Sequence, residues 1–352
     1  MKKLRILVIA DCNLNSIQAQ DRDFKNWIHF LDSEKFNILT FSKGRKDLLV
    51  IKEGVNVISL FSFANNLGIN SLLILLTLLF IKVDFVVISK TQLIEKFYLR
   101  FKHLFLLNNK VITIVVNMFP YEDYKFSELI VKKSNFIIAI SKNIQKNIFD
   151  FSGRLADVVH LSYNSNIFFP RKRLQTEGRC VRVICVGSMQ IRKQPFVFAD
   201  IAKSNPEAEF IWIGEGYFYR FLIEKISEEK ISNLKLVGSK PQLVVAQMLR
   251  DSDIFLFPSM QEGFPNAIVE AMMSGLAIIA YNSYKPEAVV NGLNGFVCNN
   301  VSDLFSYTRK LILDHDLLLE FKKSSIELSR KFNGINNVIE FSNMLLRYKD
   351  IG

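Results

Sequence analysis

Residues 258–275, PSMQEGFPNAIVEAMMSG, bring two glutamates, two glycines and two prolines together directly after the apolar run 254–257. An apolar run, a Gly-Pro turn and then a helical period make a strand-to-helix junction. Pro265 suits a first helical turn, where its missing N–H is not needed, and Gly275 suits a left-handed exit. The pattern therefore predicts a helix over about 265–274. The amides near Phe264, Asn266 and Ala267 then face the carboxyl end of the strand. With the helix dipole they make a place for phosphate, and Gly263 has no side chain to hold the backbone at a distance. Glu262 sits just outside that anion site and Glu270 about one turn inside it. A carboxylate beside a phosphate repels its ligand unless it serves another part of it. An ionised carboxylate accepts from two hydroxyls at once, and sugar hydroxyls meet that need.

Two glutamates eight residues apart often mark only a solvated helix face; the context EGFPNA, with Pro258-Ser259 before it and Gly275 after it, is more specific. EGFPNAIVE resembles the E-x7-E signature of retaining glycosyltransferases with the two-domain GT-B fold, in particular family GT4. The resemblance implies that Glu262 holds hydroxyls of the transferred sugar and Glu270 the ribose of the nucleotide. Upstream, GSMQIRKQP at 187–195 resembles the family's G-R-L-x3-K-G loop, which implies Lys193 at the diphosphate. Ser188 stands where the family usually has Arg, and Arg192 supplies a neighbouring cation. The chemistry asks for such a cation, because a departing nucleoside diphosphate gains negative charge that a fixed positive group stabilises. Gly214-Glu215-Gly216 is half of a dinucleotide fingerprint. Gly238-Ser239 opens another strand-loop-helix junction, where the family holds the base with backbone groups. Tyr284-Lys285-Pro286-Glu287 and residues 291–295 resemble late motifs that close the family's second domain. Two positions depart from the pattern. Residues 11–16 carry no glycine where the family has a glycine-rich loop, and Asn117 stands where it has a His facing the reacting sugar. Asn can hydrogen-bond a sugar hydroxyl but cannot move a proton.

The elements that must position these groups are legible as short β-branched runs at 4–10, 37–41, 55–60, 84–89, 110–116 and 135–140, each followed by room for a helix or loop. Such alternation predicts an α/β fold with parallel sheets covered on both faces, and ligands at the carboxyl ends of the strands. Residues 164–170, NSNIFFP, resemble the family's interdomain segment. The basic stretch 171–179 reads as a linker, and 181–186 starts a second sheet. The expected organisation is two facing Rossmann-like domains with a cleft between them. The acceptor-side domain spans 1–165 and the nucleotide-sugar domain 171–333. A last helix, about 334–352, crosses back onto the first domain.

The chain has 352 residues and is 49% hydrophobic, which excludes general disorder. Its four cysteines are too few and too scattered for a disulfide framework, and none shows zinc spacing, so a reducing, cytoplasmic setting without a metal is expected. No secretory signal is read at the amino end. The apolar stretch 72–81 is about half a membrane span and is read as a buried helix. The net charge is +11, and residues 1–165 hold 22 Lys+Arg against 14 Asp+Glu. Without a nucleic-acid motif, that excess points to an anionic membrane surface rather than to nucleic acid. Residues 95–110 interleave Lys96, Arg100, Lys102 and Lys110 with aromatic side chains, as an interfacial helix does. The alternative is a sheet-covering helix with snorkelling lysines.

These readings combine into an expected retaining transfer of a sugar from a nucleotide sugar to a saccharide or lipid-linked acceptor in envelope polysaccharide assembly. Glu262, Lys193 and Asn117 would lie at the reacting centre, with no metal and no further cofactor. A catalytically inactive glycosyltransferase-like subunit and a GT-B nucleotide-sugar epimerase are the rival readings.

Overall fold

The computed structural model describes residues 3–12, 31–42, 55–59, 78, 80–89, 93–102, 109–116, 119–161, 163–172, 174, 178–332 and 334–351. The chain forms two compact units, Met1–Ser162 with Gly334–Gly352, and Tyr163–Asn333.

In the first unit, strands β1 (Leu4–Cys12), β2 (Phe36–Ser42), β3 (Val55–Ser59), β4 (Phe85–Ile88), β5 (Lys110–Val115), β6 (Phe136–Ala139) and β7 (Asp157–Val158) form one sheet in the order β3-β2-β1-β4-β5-β6-β7. Every pairing is parallel. The central strands are buried along their length, as a sheet covered on both faces requires: Val86, Ile88, Val111, Ile112 and Ile138 have no more than traces of exposed surface. Helices α1 (Leu93–Phe101), α2 (Tyr124–Lys133) and α3 (Lys142–Ser152) lie between strands. Asp123 and Ser141 cap α2 and α3 by accepting the amides of Phe126 and Ile144.

The second unit contains β8 (Arg182–Val186), α4 (Pro195–Lys203), β9 (Glu209–Ile213), α5 (Tyr219–Glu228), β10 (Leu234–Leu236), α6 (Gln242–Arg250), β11 (Ile254–Phe257), α7 (Asn266–Met273), β12 (Ala277–Tyr281), β13 (Gly295–Cys298), α8 (Val301–Leu313) and α9 (His315–Ser329). Its sheet runs β10-β9-β8-β11-β12-β13, again all parallel. Both units are thus Rossmann-like, each with an order that reverses beside its first strand. The 291–295 motif is a sheet device: Asn294, fully buried, accepts from the Val290 amide and donates to the Ala288 carbonyl. A Cβ on Gly295 would lie 1.9 Å from the Ile278 carbonyl oxygen, so only glycine lets β13 approach β12 there.

The last helix, α10 (Gly334–Asp350), belongs to the first unit. Tyr348 stacks on Phe136 at 3.8 Å between ring centroids, and its hydroxyl donates to Asp157. Asn337 donates to the Leu161 carbonyl, and the Lys110 ammonium donates to three carbonyls at the end of the chain.

Several expectations meet a different structure. Most of the apolar stretch 72–81, most of the glycine-free loop after β1, and Asn117 lie outside the described residues. Helix α7 starts one residue late, at Asn266, because Pro265 takes extended angles (φ −78°, ψ 103°) as the N-cap. Among the described cations of 95–110, Lys96 pairs with Asp123 at 2.6 Å, Lys102 is buried and donates to the Asn109 carbonyl, and Lys110 points to the chain end. Only Arg100 of the four is exposed. Tyr98 and Leu99 are fully buried, so α1 covers the sheet. Among the described residues no helix is long and apolar enough to cross a membrane.

Two described residues of the basic stretch 171–179, Arg171 and Arg179, are held by ion pairs. Arg171 (2.8 Å), Arg179 (2.8 Å) and Lys322 (2.7 Å) converge on the fully buried carboxylate of Asp253, which also accepts the Arg182 amide. Burial by itself would push the Asp253 carboxyl up, but Lys322 and its other partners hold it below the usual range. Lys322 is pushed down to about 8 by its own burial, although Asp253 opposes the shift. Three cations share one anion, so the acid is over-supplied and the lysine under-supplied. Replacing Asp253 with Ala leaves three cations facing each other, and unfolding followed by Trp212 fluorescence should show a loss of about 3–5 kcal/mol. The depressed carboxyl pKa also sets a sign with pH. Its stabilisation is present above the unfolded-state pKa and is lost as pH falls through the lower folded value, so the wild type should lose more stability than Asp253→Ala on acidification.

Candidate functional site

The loops at the carboxyl ends of β8, β9, β10 and β11 form the candidate site. The first leaves β8 at Gly187 and closes in a single 3₁₀ turn, Ile191–Lys193. It is bound to the β9 loop by the Met189 amide donating to the Glu215 carbonyl (3.0 Å) and the Phe218 amide donating to the Met189 carbonyl (3.1 Å). The β9 and β10 loops meet through the Gly214 amide and the Gly238 carbonyl at 2.9 Å, and the Ser239 amide donates to Glu215 Oε1 at 3.2 Å. Trp212, buried in β9, donates its indole N–H to the Gly187 carbonyl at 2.9 Å.

The G-x-G residues follow from this close approach. Gly214 has φ 132°, and a Cβ there would lie 2.1 Å from the Gly187 carbonyl oxygen. A Cβ on Gly216, at φ 159°, would lie 2.7 Å from the Met189 carbonyl oxygen. The two glycines thus let the β9 loop lie against the loop that carries Arg192 and Lys193.

Glu262 enters from the β11 loop. Its Oε1 accepts from the Lys193 ammonium, from Arg192 Nη1 at 2.7 Å and from the Ser259 hydroxyl. Among the described residues these are its hydrogen bonds, and all fall on that one oxygen. Lys193 is 7% exposed, and its ammonium also lies 4.2 Å from the centroid of the Phe257 ring. Burial pushes its pKa below the ordinary value, and the charge and hydrogen bond of Glu262 oppose that shift. Arg192 is more exposed and also donates to the Gln261 carbonyl. The Met260 amide donates to the Arg192 carbonyl and Ser283 Oγ to the Met260 carbonyl, so the β11 loop is held from both sides.

Beyond Glu262 the chain bends at Gly263 and Phe264, and Phe264 packs on Phe332 at 5.6 Å between centroids. Pro265 offers no side-chain cap to α7, so the helix start carries its own amides. Asn266 accepts the Tyr163 hydroxyl at 2.9 Å, and Ala267 follows in the first turn. Glu270 lies on the same helix, 4% exposed. Thus Arg192, Lys193 and Glu262 are in contact, Gly214, Gly238 and Ser239 form the adjoining loop junction, and residues 263–270 form the helix entry. Ser259 and Tyr163 are additional contributors. Ser259 lies within the quoted motif, three residues before Glu262, whereas nothing in the sequence marks Tyr163 as a partner of a residue 103 positions away. Among the described residues no group of three or more His, Cys, Asp or Glu side chains is placed to hold a metal ion.

The arrangement combines a dense pair of cations, a carboxylate with one oxygen engaged by them, and a helix entry. It can bind a polyanion at the cations and helix amides while the carboxylate addresses neutral hydroxyls.

Comparison with known proteins finds similarity over these loops. The family model described as "Glycosyl transferases group 1" matches residues 180–314, which hold every one of these loops. An uncharacterized glycosyltransferase of Methanocaldococcus jannaschii is 26% identical over 211 residues, 59% of this chain and 58% of that protein. The Escherichia coli UDP-Gal:alpha-D-GlcNAc-diphosphoundecaprenol alpha-1,3-galactosyltransferase is 30% identical over 165 residues, 44% of this chain and 41% of that protein. The match therefore spans less than two thirds of either relative. Anabaena HepE, solved in complex with UDP and glucose, superposes with a TM-score of 0.80 over 98% of this chain and 100% of that one, at 15% identity. The fold is GT-B, with two Rossmann-like domains.

Because a Cβ at position 214 meets backbone on the opposing loop, Gly214→Ala must displace the Lys193 loop or strain its own backbone. Thermal unfolding should show a loss of about 1–3 kcal/mol. Unchanged stability would show that the two loops part easily.

Proposed function

We propose that the protein is a retaining glycosyltransferase of the GT4 type, transferring a hexosyl group from a nucleoside-diphosphate sugar to a saccharide or lipid-linked acceptor in cell-envelope polysaccharide assembly. The observation that carries the reading is the shared Glu262 Oε1, held by Lys193, Arg192 and Ser259 at the strand ends within the family-matched residues. The Escherichia coli relative, whose name gives a UDP-sugar donor and a diphosphoundecaprenol-linked acceptor, supports the donor class and a lipid-linked acceptor.

In this reading the diphosphate lies against Lys193, Arg192 and the amides near Phe264, Asn266 and Ala267. Glu270 accepts from the ribose, and the loops of Gly214, Gly238 and Ser239 border the base. Glu262 directs its second oxygen to a hydroxyl of the sugar. The bond from the anomeric carbon to the diphosphate breaks, and its electron pair goes to the phosphate oxygen. The acceptor oxygen attacks from the same face, and its proton passes to the departing phosphate. Lys193 and Arg192 stabilise the charge that develops, so the reaction is proposed to run on protein cations. Asn117 is proposed to hydrogen-bond the reacting sugar. The cytoplasmic side of the membrane is the proposed location. Because most described cations of 95–110 are engaged internally, reversible contact with anionic lipid would draw on Arg100 and other cations of the first 165 residues.

A thermal-shift screen of common nucleotide sugars tests the donor class, since a ligand bound by the native state raises its apparent stability. Glu270→Ala should weaken nucleotide binding, whereas Glu262→Ala should mainly lower kcat, because only the contacts of Glu262 change greatly towards the transition state. Lys193→Ala should cost about 2–4 kcal/mol in kcat/KM. Purely affinity losses of equal size in both glutamate variants would remove these roles. Donor breakdown to an epimerised sugar without acceptor would replace the reading with an epimerase, and donor binding without turnover across a broad acceptor set with an inactive subunit.

A further inference from the structure

Helix α10 lies beside β7, the edge strand of the first unit's sheet. One of its faces packs: Val338, Phe341, Leu345 and Tyr348 are buried. Another does not. Asn336, Glu340, Asn343 and Arg347, at intervals of four, three and four residues, form one row along the helix. With Ile339 and the residues of β7, this row lines a cavity of about 640 Å³, a volume within the ordinary range of ligand clefts.

The row offers both kinds of hydrogen-bonding group. Each carboxamide donates and accepts, Glu340 accepts and Arg347 donates. The side chains of Asn336, Glu340 and Asn343 have no hydrogen-bond or ion-pair partner among the described residues. The wall opposite them is already fixed: Asp157 accepts from Arg347 Nη2 at 3.1 Å through one oxygen and from the Tyr348 hydroxyl through the other. The Tyr348 ring is pinned in turn on Phe136. The Val159 amide donates to the Ala139 carbonyl of β6, and alternate residues of a parallel ladder turn to opposite sides. The N–H and C=O of Val158 therefore turn away from β6, to the open edge. Ile339, 53% exposed, sets an apolar surface among these polar groups.

Charge narrows the choice of ligand. Two carboxylates and one guanidinium line the cavity, so a phosphate or diphosphate would meet an excess of its own sign. A hydrocarbon would take the water from the carboxamides and from Glu340 without replacing it. A neutral saccharide does neither. Its hydroxyls both donate and accept, as the row requires, and its C–H faces can lie against Ile339. The place is also distinct from the crevice that a doubly wound sheet ordinarily uses. The strand order reverses between β1 and β4, and β7 lies three strands beyond β4.

We propose that the groove between α10 and β7 is a saccharide-binding subsite, which holds a neutral, non-reacting stretch of the acceptor chain. The choice of a saccharide rests on the glycosyltransferase reading above; the groove and its chemistry do not.

The test applies the full chain to an array of defined neutral and acidic oligosaccharides, and titrates the best-bound neutral glycan by isothermal titration calorimetry. Asn336→Ala and Asn343→Ala should each weaken it about two- to tenfold, the scale of one hydrogen bond. Asn343→Trp, which fills the groove from an exposed helix position, should abolish glycan binding while leaving the unfolding temperature and UDP binding unchanged. Lys193→Ala, in the second unit, should leave glycan binding as in the wild type. Retention of no neutral oligosaccharide by the wild type, a preference for acidic glycans, or full glycan affinity in Asn343→Trp and in the double Asn336→Ala, Asn343→Ala variant overturns the proposal. UDP binding by the wild type would then leave the donor reading in place. Failure of the wild type to bind UDP or any other nucleoside diphosphate overturns the donor reading instead, and a glycan lost on Asn343→Trp would still establish the groove.

Discussion

A lysine ammonium with 7% exposure has lost most of its water, and the second unit is arranged around replacing it. Lys193 obtains a carboxylate from Glu262 and the face of the Phe257 ring, yet its pKa still lies below the ordinary value, so the exchange is incomplete. An anionic ligand would complete it. The same pairing places the acid: Glu262 is drawn to the cations through one oxygen, and Ser259 and Arg192 fix that oxygen further. A carboxylate constrained at one oxygen can address a neutral hydroxyl with the other without competing for the cation site. In the proposed function this would separate a group for the sugar from the groups for the diphosphate.

That separation holds only if the loops stay in register. They come from four strands far apart in sequence, and backbone hydrogen bonds hold them together: Met189 to Glu215, Phe218 to Met189, Gly214 to Gly238, Met260 to Arg192. Backbone contact at this range excludes side chains, which is why glycines cluster here rather than for turn formation alone. The loops therefore form one surface, and a Cβ at Gly214 would press on the backbone of the loop that carries Lys193.

The strands of the first sheet other than the short β7 were legible because of their β-branched runs. Thr113, Ile114 and Val115 can be little else but a buried strand, and the boundaries fall within a residue or two of the sequence pattern. The Arg192, Lys193 and Glu262 contact was legible as a set of motifs, though not as one shared oxygen, because sequence spacing carries no information on which carboxylate atom accepts. The ion pairs of Arg171 and Arg179 were not legible for a physical reason. A run of cations usually stays in water, and the partner that engages Arg171 and Arg179, Asp253, is one of two acids in the short turn before β11, with nothing in its spacing to mark it. Residues 95–110 were ambiguous because snorkelling lysines and membrane-facing lysines have the same period; Asp123 and the Asn109 carbonyl decide where Lys96 and Lys102 go. Tyr163 had no signal at all, since one long-range hydrogen bond leaves no period and no motif.

Strand β11 links two charge clusters. At its amino end Asp253 gathers Arg171, Arg179 and Lys322; at its carboxyl end Phe257 lies under Lys193 and leads to Ser259 and Glu262. The four residues of β11, Ile254–Phe257, are completely buried, all paired with β12 and the first two also with β8. At about 3.3 Å per residue they hold the two charge clusters on the order of 15 Å apart. Each cluster needs its acid at a defined depth, because a buried carboxylate that slips by one residue loses its partners and reverses the side-chain faces of the strand. The structural cluster therefore does more than tie down the segment that enters the second unit. By fixing the amino end of β11 against its neighbours, it fixes the height at which Glu262 meets Lys193.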